Sequence, residues 1–213
     1  MSFERNFEHA EELFAAALEE FIAHGYEHAS LNTMLTQAGM SKGQFYYYFH
    51  NKEGLYLALI DRLIKMKTSF LASVMKPEDF SQDIFSIFKT QMKYSMAFTR
   101  EYPAISRFSE SFLREKGSAI YQKAITIHNF ENNAAILHMV QQAFERGEFR
   151  EDLPLEFVQK LIAYLFTHMA DLADLSTADQ FETRVDWVVA FLRNGLARVP
   201  QEKTISESTQ PTR

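Results

Sequence analysis

Apolar residues recur at intervals of three and four along nearly the whole chain, and that spacing predicts helices. Phe7, Ala10, Phe14, Ala17 and Phe21 form one such stripe, so a first helix is expected from Phe7 to His24, ended by Gly25. Ser30 is placed to cap a second helix, Leu31 to Gln37, with Leu31, Met34 and Leu35 facing inward. A third helix carries Lys42 to Phe49. A long fourth runs from Lys52 toward Met75 with Leu55, Leu59, Leu63 and Met66 on one side, until Lys76-Pro77 stops it. Beyond Pro77 the pattern predicts helices at Phe80 to Thr99, Ala104 to Glu115, Ser118 to Arg146, Leu155 to Leu175 and Ala178 to Val199. The punctuation falls at Tyr102-Pro103, Gly117, Gly147 and Pro154, and from Pro200 the composition turns polar, as a disordered tail would. Strand-like alternation and internal repeats are both missing, so the fold class read here is all-α.

The stretch from Leu31 to Leu55 lays two short helices around a tight turn, the layout of a helix-turn-helix DNA reader. Gly39 stands where the chain must bend after the first of them, and Ser41 restarts it as an N-cap. At about 100° per residue, Phe45 and Phe49 share one face of the second helix. Gly43, Gln44 and Tyr47 lie opposite, with Tyr46 and Tyr48 on the flanks. One side is therefore made to pack and the other to touch a polar partner. The tyrosine run could instead form a buried aromatic layer or a protein-binding patch. Three hydroxyls spread at about 100° cannot all be buried on one face, and Ser41, Lys42 and Lys52 nearby favour a phosphate-facing surface.

These residues resemble the signature of tetracycline-repressor-like (TetR-type) regulators. The matching positions run from Phe21 to Tyr26, through Ala38-Gly39-Met40-Ser41-Lys42-Gly43, to Phe45-Tyr46-Tyr47-Tyr48-Phe49 and Lys52-Glu53-x-Leu55. The resemblance implies an all-helical homodimer with an N-terminal three-helix head (1–52) and a long helix leading into a C-terminal helical domain (53–199). That domain binds a small effector and dimerises, and residues 200–213 form the tail. Tyr48 stands where many relatives carry His, Gln44 where a small residue is common, and Leu35 where Ala is usual beside the turn. Specificity therefore cannot be transferred from a relative. Ser30, Asn32, Thr33, Tyr46, Tyr48 and Lys52 are expected to hold the DNA backbone and Lys42, Gln44 and Tyr47 to read bases, with Ser41 and Gly43 in the same DNA-binding set.

Charge opposes this reading. The formal net charge is −6, and within the first fifty-two residues only Arg5, Lys42 and Lys52 oppose Glu4, Glu8, Glu11, Glu12, Glu19, Glu20 and Glu27. Nearly all of these glutamates lie on the first helix. If that helix turns its acidic side away from the duplex, the surface around Lys42 and Lys52 stays locally positive, because screening confines each charge to roughly 10 Å at 0.1 M salt. Few cations also imply a shallow salt dependence of binding.

The C-terminal part supplies apolar arcs and no reactive chemistry. Val158, Leu161, Ile162, Leu165, Met169, Val185, Val188, Leu192 and Leu196 make arcs on the last two helices that are wider than one neighbour needs, so a four-helix dimer interface is expected there. A well-buried helix pair within one protomer is the alternative. Twenty phenylalanines, nine tyrosines and nine methionines suit a cavity for an apolar or planar effector. Phe88, Met92, Phe108, Phe112, Tyr121, His128, Tyr164 and His168 are its candidate lining, although periodic aromatics also fill ordinary cores. Cysteine is absent, and neither a Glu-x-x-His pair, a Gly-x-Ser-x-Gly elbow nor a glycine-rich phosphate loop occurs, so no metal, cofactor or enzymatic role is expected. The expected location is the cytoplasm, since neither an export signal nor a membrane span is evident. The sequence is read as a ligand-responsive regulator, most simply a repressor, that binds a near-palindromic double-stranded operator as a dimer. The alternative is a helical small-molecule carrier without DNA binding.

Overall fold

A computed structural model describes residue 3 and residues 7–128, 134–173 and 180–198, with side chains of 166–173 outside the description. Within these limits the expected all-α fold is what forms. Its elements are α1 (Ala10–His28), α2 (Leu31–Gln37), α3 (Lys42–Tyr48), α4 (Lys52–Val74), α5 (Ile84–Glu101), α6 (Pro103–Arg114), α7 (Ala119–His128), α8 (Ala134–Glu145), α9 (Leu155–Ala173) and α10 (Phe181–Leu196). A short 3₁₀ turn at Pro77–Ser81 separates α4 from α5.

Two boundaries differ from the periodic reading, each for a physical reason. The first helix begins at Ala10, after His9 in a left-handed conformation, so Phe7 packs as part of the incoming strand of chain and not as a helical residue. The helix expected from Ser118 to Arg146 is described in two parts that pack on different partners, and residues 129–133 between them lie outside the described residues. α7 packs on α4 through Ile120 and Ala124, whereas α8 packs on α5 and α9 through Val140 and Ala143. The helix drawn from Phe80 begins at Ile84, because the Asp83 carboxylate accepts from the backbone N–H groups of Phe85 and Ser86 and caps it there.

Two apolar cores result. The first gathers α1 to α3, the first half of α4, and Phe98, Ile105, Phe108, Ile120 and Ala124 from α5, α6 and α7. The head's core thus extends past residue 52 into the body. The second core joins α5, α8, α9 and α10 around Phe88, Val140, Ile162 and Val185. An isolated antiparallel bridge between Phe149 and Ala197 ties the α8–α9 loop to the end of α10.

The second core corrects the expected dimer surface. Val158, Ile162, Val185, Leu192 and Leu196 are buried inside their own protomer, and Leu161, Leu165 and Val188 are half-buried against the same core. Met169 lies outside the described side chains, and the tail from residue 200 lies outside the described residues. The alternative of a buried helix pair holds for this face. The outward positions of the two helices carry Phe157, Tyr164, Trp187 and Phe191, all at least half exposed.

Head and body are bonded directly. The Ser111 hydroxyl donates to the Phe21 carbonyl in a buried position, and the Glu115 carboxylate accepts from the Tyr26 N–H at 2.8 Å. Arg107 pairs with Glu19, and Lys123 with Glu53. Gly25 makes the Glu115 bond possible: its φ of 67° and ψ of 178° suit glycine alone, and a Cβ there would stand 2.7 Å from Glu115 Oε1. Gly25→Ala is therefore expected to lower stability by about 1–3 kcal/mol. Urea denaturation checks it, and an unchanged midpoint would refute the close fit.

Candidate nucleic-acid interface

The turn between α2 and α3 is built from backbone bonds that the sequence specifies. Gly39 takes φ 65°, its N–H donates to the Thr36 carbonyl, and the Met40 N–H reaches back to Leu35. This is a Schellman end, and its apolar contact is supplied by Leu35 and Met40, both buried. Ser30 caps α2 by accepting from the Thr33 N–H, while its own N–H donates to the buried carboxylate of Glu20. Ser41 caps α3 by accepting from the Gln44 N–H.

Aromatic packing fixes which way α3 points. Phe45 and Phe49 are fully buried and stack on each other, and Phe49 meets Phe3 and Phe7 from the segment ahead of α1. Arg62 of α4 lies over the Phe14 ring and pairs with Glu11, closing the far side of this cluster. Composition did not reveal the clasp of Phe3 and Phe7 on α3. The signal was present, however, in two phenylalanines four apart before the first helix.

With one face pinned, the other faces solvent. Tyr46 and Tyr47 are 52% and 77% exposed, the larger values falling on the side opposite Phe45. Lys42 and Gly43 are exposed, and Lys42 has no ion-pair or hydrogen-bond partner among the described residues. Asn32 is exposed and Thr33 half-buried, and with Thr36 and Gln37 they line an open concavity on α2. Thr36 and Gln37 were missed in the sequence because they carry no charge and no motif position.

Three expected contacts are changed. Gln44 is expected to reach outward, yet its amide oxygen accepts from the Ser41 N–H and hydroxyl, and its amide nitrogen lies 3.5 Å from Glu8. It completes a capping box, because a Gln at the third helical position satisfies the cap residue's own N–H. Tyr48 is half-buried and stacked on Phe7 at 4.3 Å between centroids, so its ring belongs to the clasp. Lys52 is expected to hold DNA phosphates, yet its ammonium donates to the carbonyls of Glu27 and Ala29 at 2.9 and 3.1 Å and lies over the Tyr26 ring. Those carbonyls sit where α1 ends, and a cation is the natural donor for them.

Three glutamates of the acidic first helix are engaged within the protein. Glu11, Glu19 and Glu20 are bonded to Arg62, Arg107 and the Ser30 N–H respectively. Glu8, ahead of α1, lies with its carboxylate beside α3 against Gln44.

The candidate effector lining does not converge. Phe108, Phe112 and Tyr121 belong with the first core, where Phe112 and Tyr121 stack, whereas Phe88 and Met92 belong with the second. Tyr164 is exposed, and the side chain of His168 lies outside the described residues. His128 is half-buried, and that burial holds its imidazole below the ordinary range. A second open concavity is lined by Asp83, Phe85, Gly147, Glu148 and Arg193, where Arg193 pairs with Asp83. Among the described residues no group of acidic and histidine side chains is placed to hold a metal ion, and no helix is long and apolar enough to cross a membrane.

Known proteins share this head and this fold. Residues 13–59 match the family model of bacterial regulatory proteins of the tetR family. The HTH-type transcriptional regulator RutR of Escherichia coli K12 is 30% identical over 95 residues, 45% of this chain and 43% of RutR, so the match spans less than half of that relative. A TetR family transcriptional regulator from Chloroflexus aurantiacus superposes with a TM-score of 0.64 at 22% identity, covering 92% of this chain and 97% of its own. FadR from Bacillus subtilis, solved in complex with stearoyl-CoA, superposes with a TM-score of 0.63 at 18% identity over 87% of this chain and 98% of its own. At these identities the two structures share the fold alone. Residues 13–59 thus carry the helix-turn-helix head of the tetR family of bacterial regulatory proteins.

Proposed function

We propose that this protein is a ligand-responsive transcriptional repressor that binds a near-palindromic operator as a dimer and is released by a small effector with an apolar body. The observation that carries the reading is the orientation of α3. Its phenylalanines are locked inward, while Tyr46, Tyr47 and unpartnered Lys42 point out beside Asn32, Thr33, Thr36 and Gln37 of α2. In this reading Lys42 and Tyr47 meet base edges, and Tyr46, Asn32 and Thr33 meet phosphates. Ser30, Ser41, Gln44, Tyr48 and Lys52 act one step back, holding the helices that carry those groups.

Gly43 supports a close partner. Its φ is ordinary for a helix and a Cβ there would meet nothing within 4 Å, so nothing inside the protein requires glycine at this exposed position. A backbone that must approach a duplex does. The family resemblance supports the dimer, and so do the outward Phe157, Tyr164, Trp187 and Phe191, which leave large apolar surface on α9 and α10. Leu161, Leu165 and Val188 border that surface. An effector binding the body then acts through α4 and through the α1–α6 bonds on the head, limited by its differential affinity for the two conformations.

The primary test is a mobility shift with the DNA upstream of the protein's own gene, which the regulator reading expects to be retarded; a helical carrier leaves it free. Gly43→Ala is expected to act in opposite senses, raising stability in urea by about 0.5–1 kcal/mol while weakening operator binding. Lys52→Met should cost about 1–2 kcal/mol of stability by orphaning two carbonyls. Its loss of DNA affinity should then follow the loss of folded protein, whereas a pure phosphate contact would weaken binding at unchanged stability. Replacing Trp187 and Phe191 together by Glu is expected to reduce the mass by light scattering from two chains to the 24.8 kDa of one. Operator affinity would fall by about 10²-fold or more as bivalence is lost. A dimer that survives both substitutions would place the interface elsewhere.

A further inference from the structure

The chain enters α1 through an elbow. Among the described residues His9 alone, glycines apart, has a positive φ, 67° with ψ 19°, a conformation that costs energy for a residue carrying a Cβ. Burial on either side imposes it. Phe7 is buried against Tyr48 and Phe49, Ala10 is buried at the start of α1, and the Ala10 N–H donates to the Phe7 carbonyl at 3.1 Å.

The two residues of the elbow lean on the helix-turn-helix. The His9 ring covers the turn glycine, since a Cβ on Gly39 would stand 3.8 Å from His9 Cε1. Glu8 reaches the first turn of α3, with Oε2 3.5 Å from Gln44 Nε2. Strain of this kind persists where the surrounding structure over-determines it, and here it sets a carboxylate beside the leading end of α3.

That carboxylate has acceptor capacity to spare. Its side chain is 75% exposed, its other oxygen lies 3.7 Å from His9 Nε2, and both neighbours stand beyond the usual length of a hydrogen bond. An ionised carboxylate has about four acceptor positions. Gln44 is committed to the Ser41 cap through its amide oxygen. The leading end therefore offers a partner two charged groups: Lys42, which can only donate, and Glu8, which can only accept.

We propose that Glu8 is a base-reading residue and that it selects cytosine. This rests on the reading of the protein as an operator-binding regulator and adds one base of the operator. The N-terminal residues of the second helix of a helix-turn-helix enter the major groove, so a duplex seated on Lys42 stands beside Glu8. Phosphates repel a carboxylate there, and guanine and thymine present it with acceptors alone. Adenine presents an amino group next to the N7 acceptor, which opposes the second carboxylate oxygen. Cytosine presents an amino group with no acceptor beside it, and a hydrogen bond from that group to an ionised acceptor is a strong one.

Selection from a pool of random-sequence duplexes by the full-length protein, followed by mobility shifts on the selected duplex, tests the assignment. The wild type is expected to retain duplexes with cytosine at one fixed position of each half-site, preferred about tenfold over thymine. Glu8→Ala should abolish that preference, and Glu8→Gln, which keeps an acceptor and loses the charge, should retain part of it. Replacing that cytosine by 2-pyrimidinone, the same ring without the amino group, should cost the wild type about tenfold more affinity than it costs Glu8→Ala, the weakened base pair being common to both. Equal costs for the two proteins overturn the proposal. A Glu8→Ala protein that keeps the cytosine, or that binds every duplex more tightly with the same preference, overturns it as well. The thermal midpoint of each variant separates loss of the contact from loss of the fold. A wild type that retains no duplex at all rejects the regulator reading itself, and this assignment with it.

Discussion

A seven-residue helix does not hold itself together in water, because two turns of hydrogen bonds do not offset the entropy of nucleation. α3 exists because Phe45 and Phe49 are locked into an aromatic cluster with Phe3, Phe7 and Phe14, and because Ser41 and Gln44 close its first turn. Everything the head presents to a partner depends on that lock. It sets the axis of the helix, turns Tyr46 and Tyr47 outward, and leaves Lys42 unpaired at the leading end. The same constraint explains why residues resembling DNA contacts are engaged inside the protein. Holding a short helix in register takes more bonds than its own length supplies.

The second consequence concerns communication. The bonds of Lys52, Glu115 and Ser111 all converge on the last turns of α1, around Phe21 to Ala29. α6 and α4 therefore grip the same short piece of chain, and one core runs from the head into α7. A change in the spacing of α4 and α6 in the body reaches the head through this grip without a flexible linker. Such coupling needs two arrangements of the body that an effector binds unequally.

Much of the head was legible in the sequence because local rules decide it. Gly39 and the Ser30 and Ser41 caps follow from φ/ψ and orphan N–H groups, and the structure has all three where the spacing put them. The roles of Tyr48 and Lys52 were not legible, since each is decided by groups distant in sequence, Phe7 and the carbonyls of Glu27 and Ala29, whereas the part of Gln44 follows a local Ser-x-x-Gln capping box that the base-reading expectation passed over. In the body, periodicity located helices but could not assign faces. Val158 and Phe157 are adjacent apolar residues, and only tertiary packing buries the first and exposes the second.

The central claim is that α3 carries its tyrosines outward to a duplex while the clasp stays closed. Hydroxyl-radical footprinting of the protein, with and without operator DNA, measures it most directly, because each tyrosine reports its own exposure. The account predicts that DNA strongly protects Tyr46 and Tyr47 while Tyr56, already buried, does not change. Unprotected Tyr46 and Tyr47 in a protein that is fully bound to DNA would contradict it.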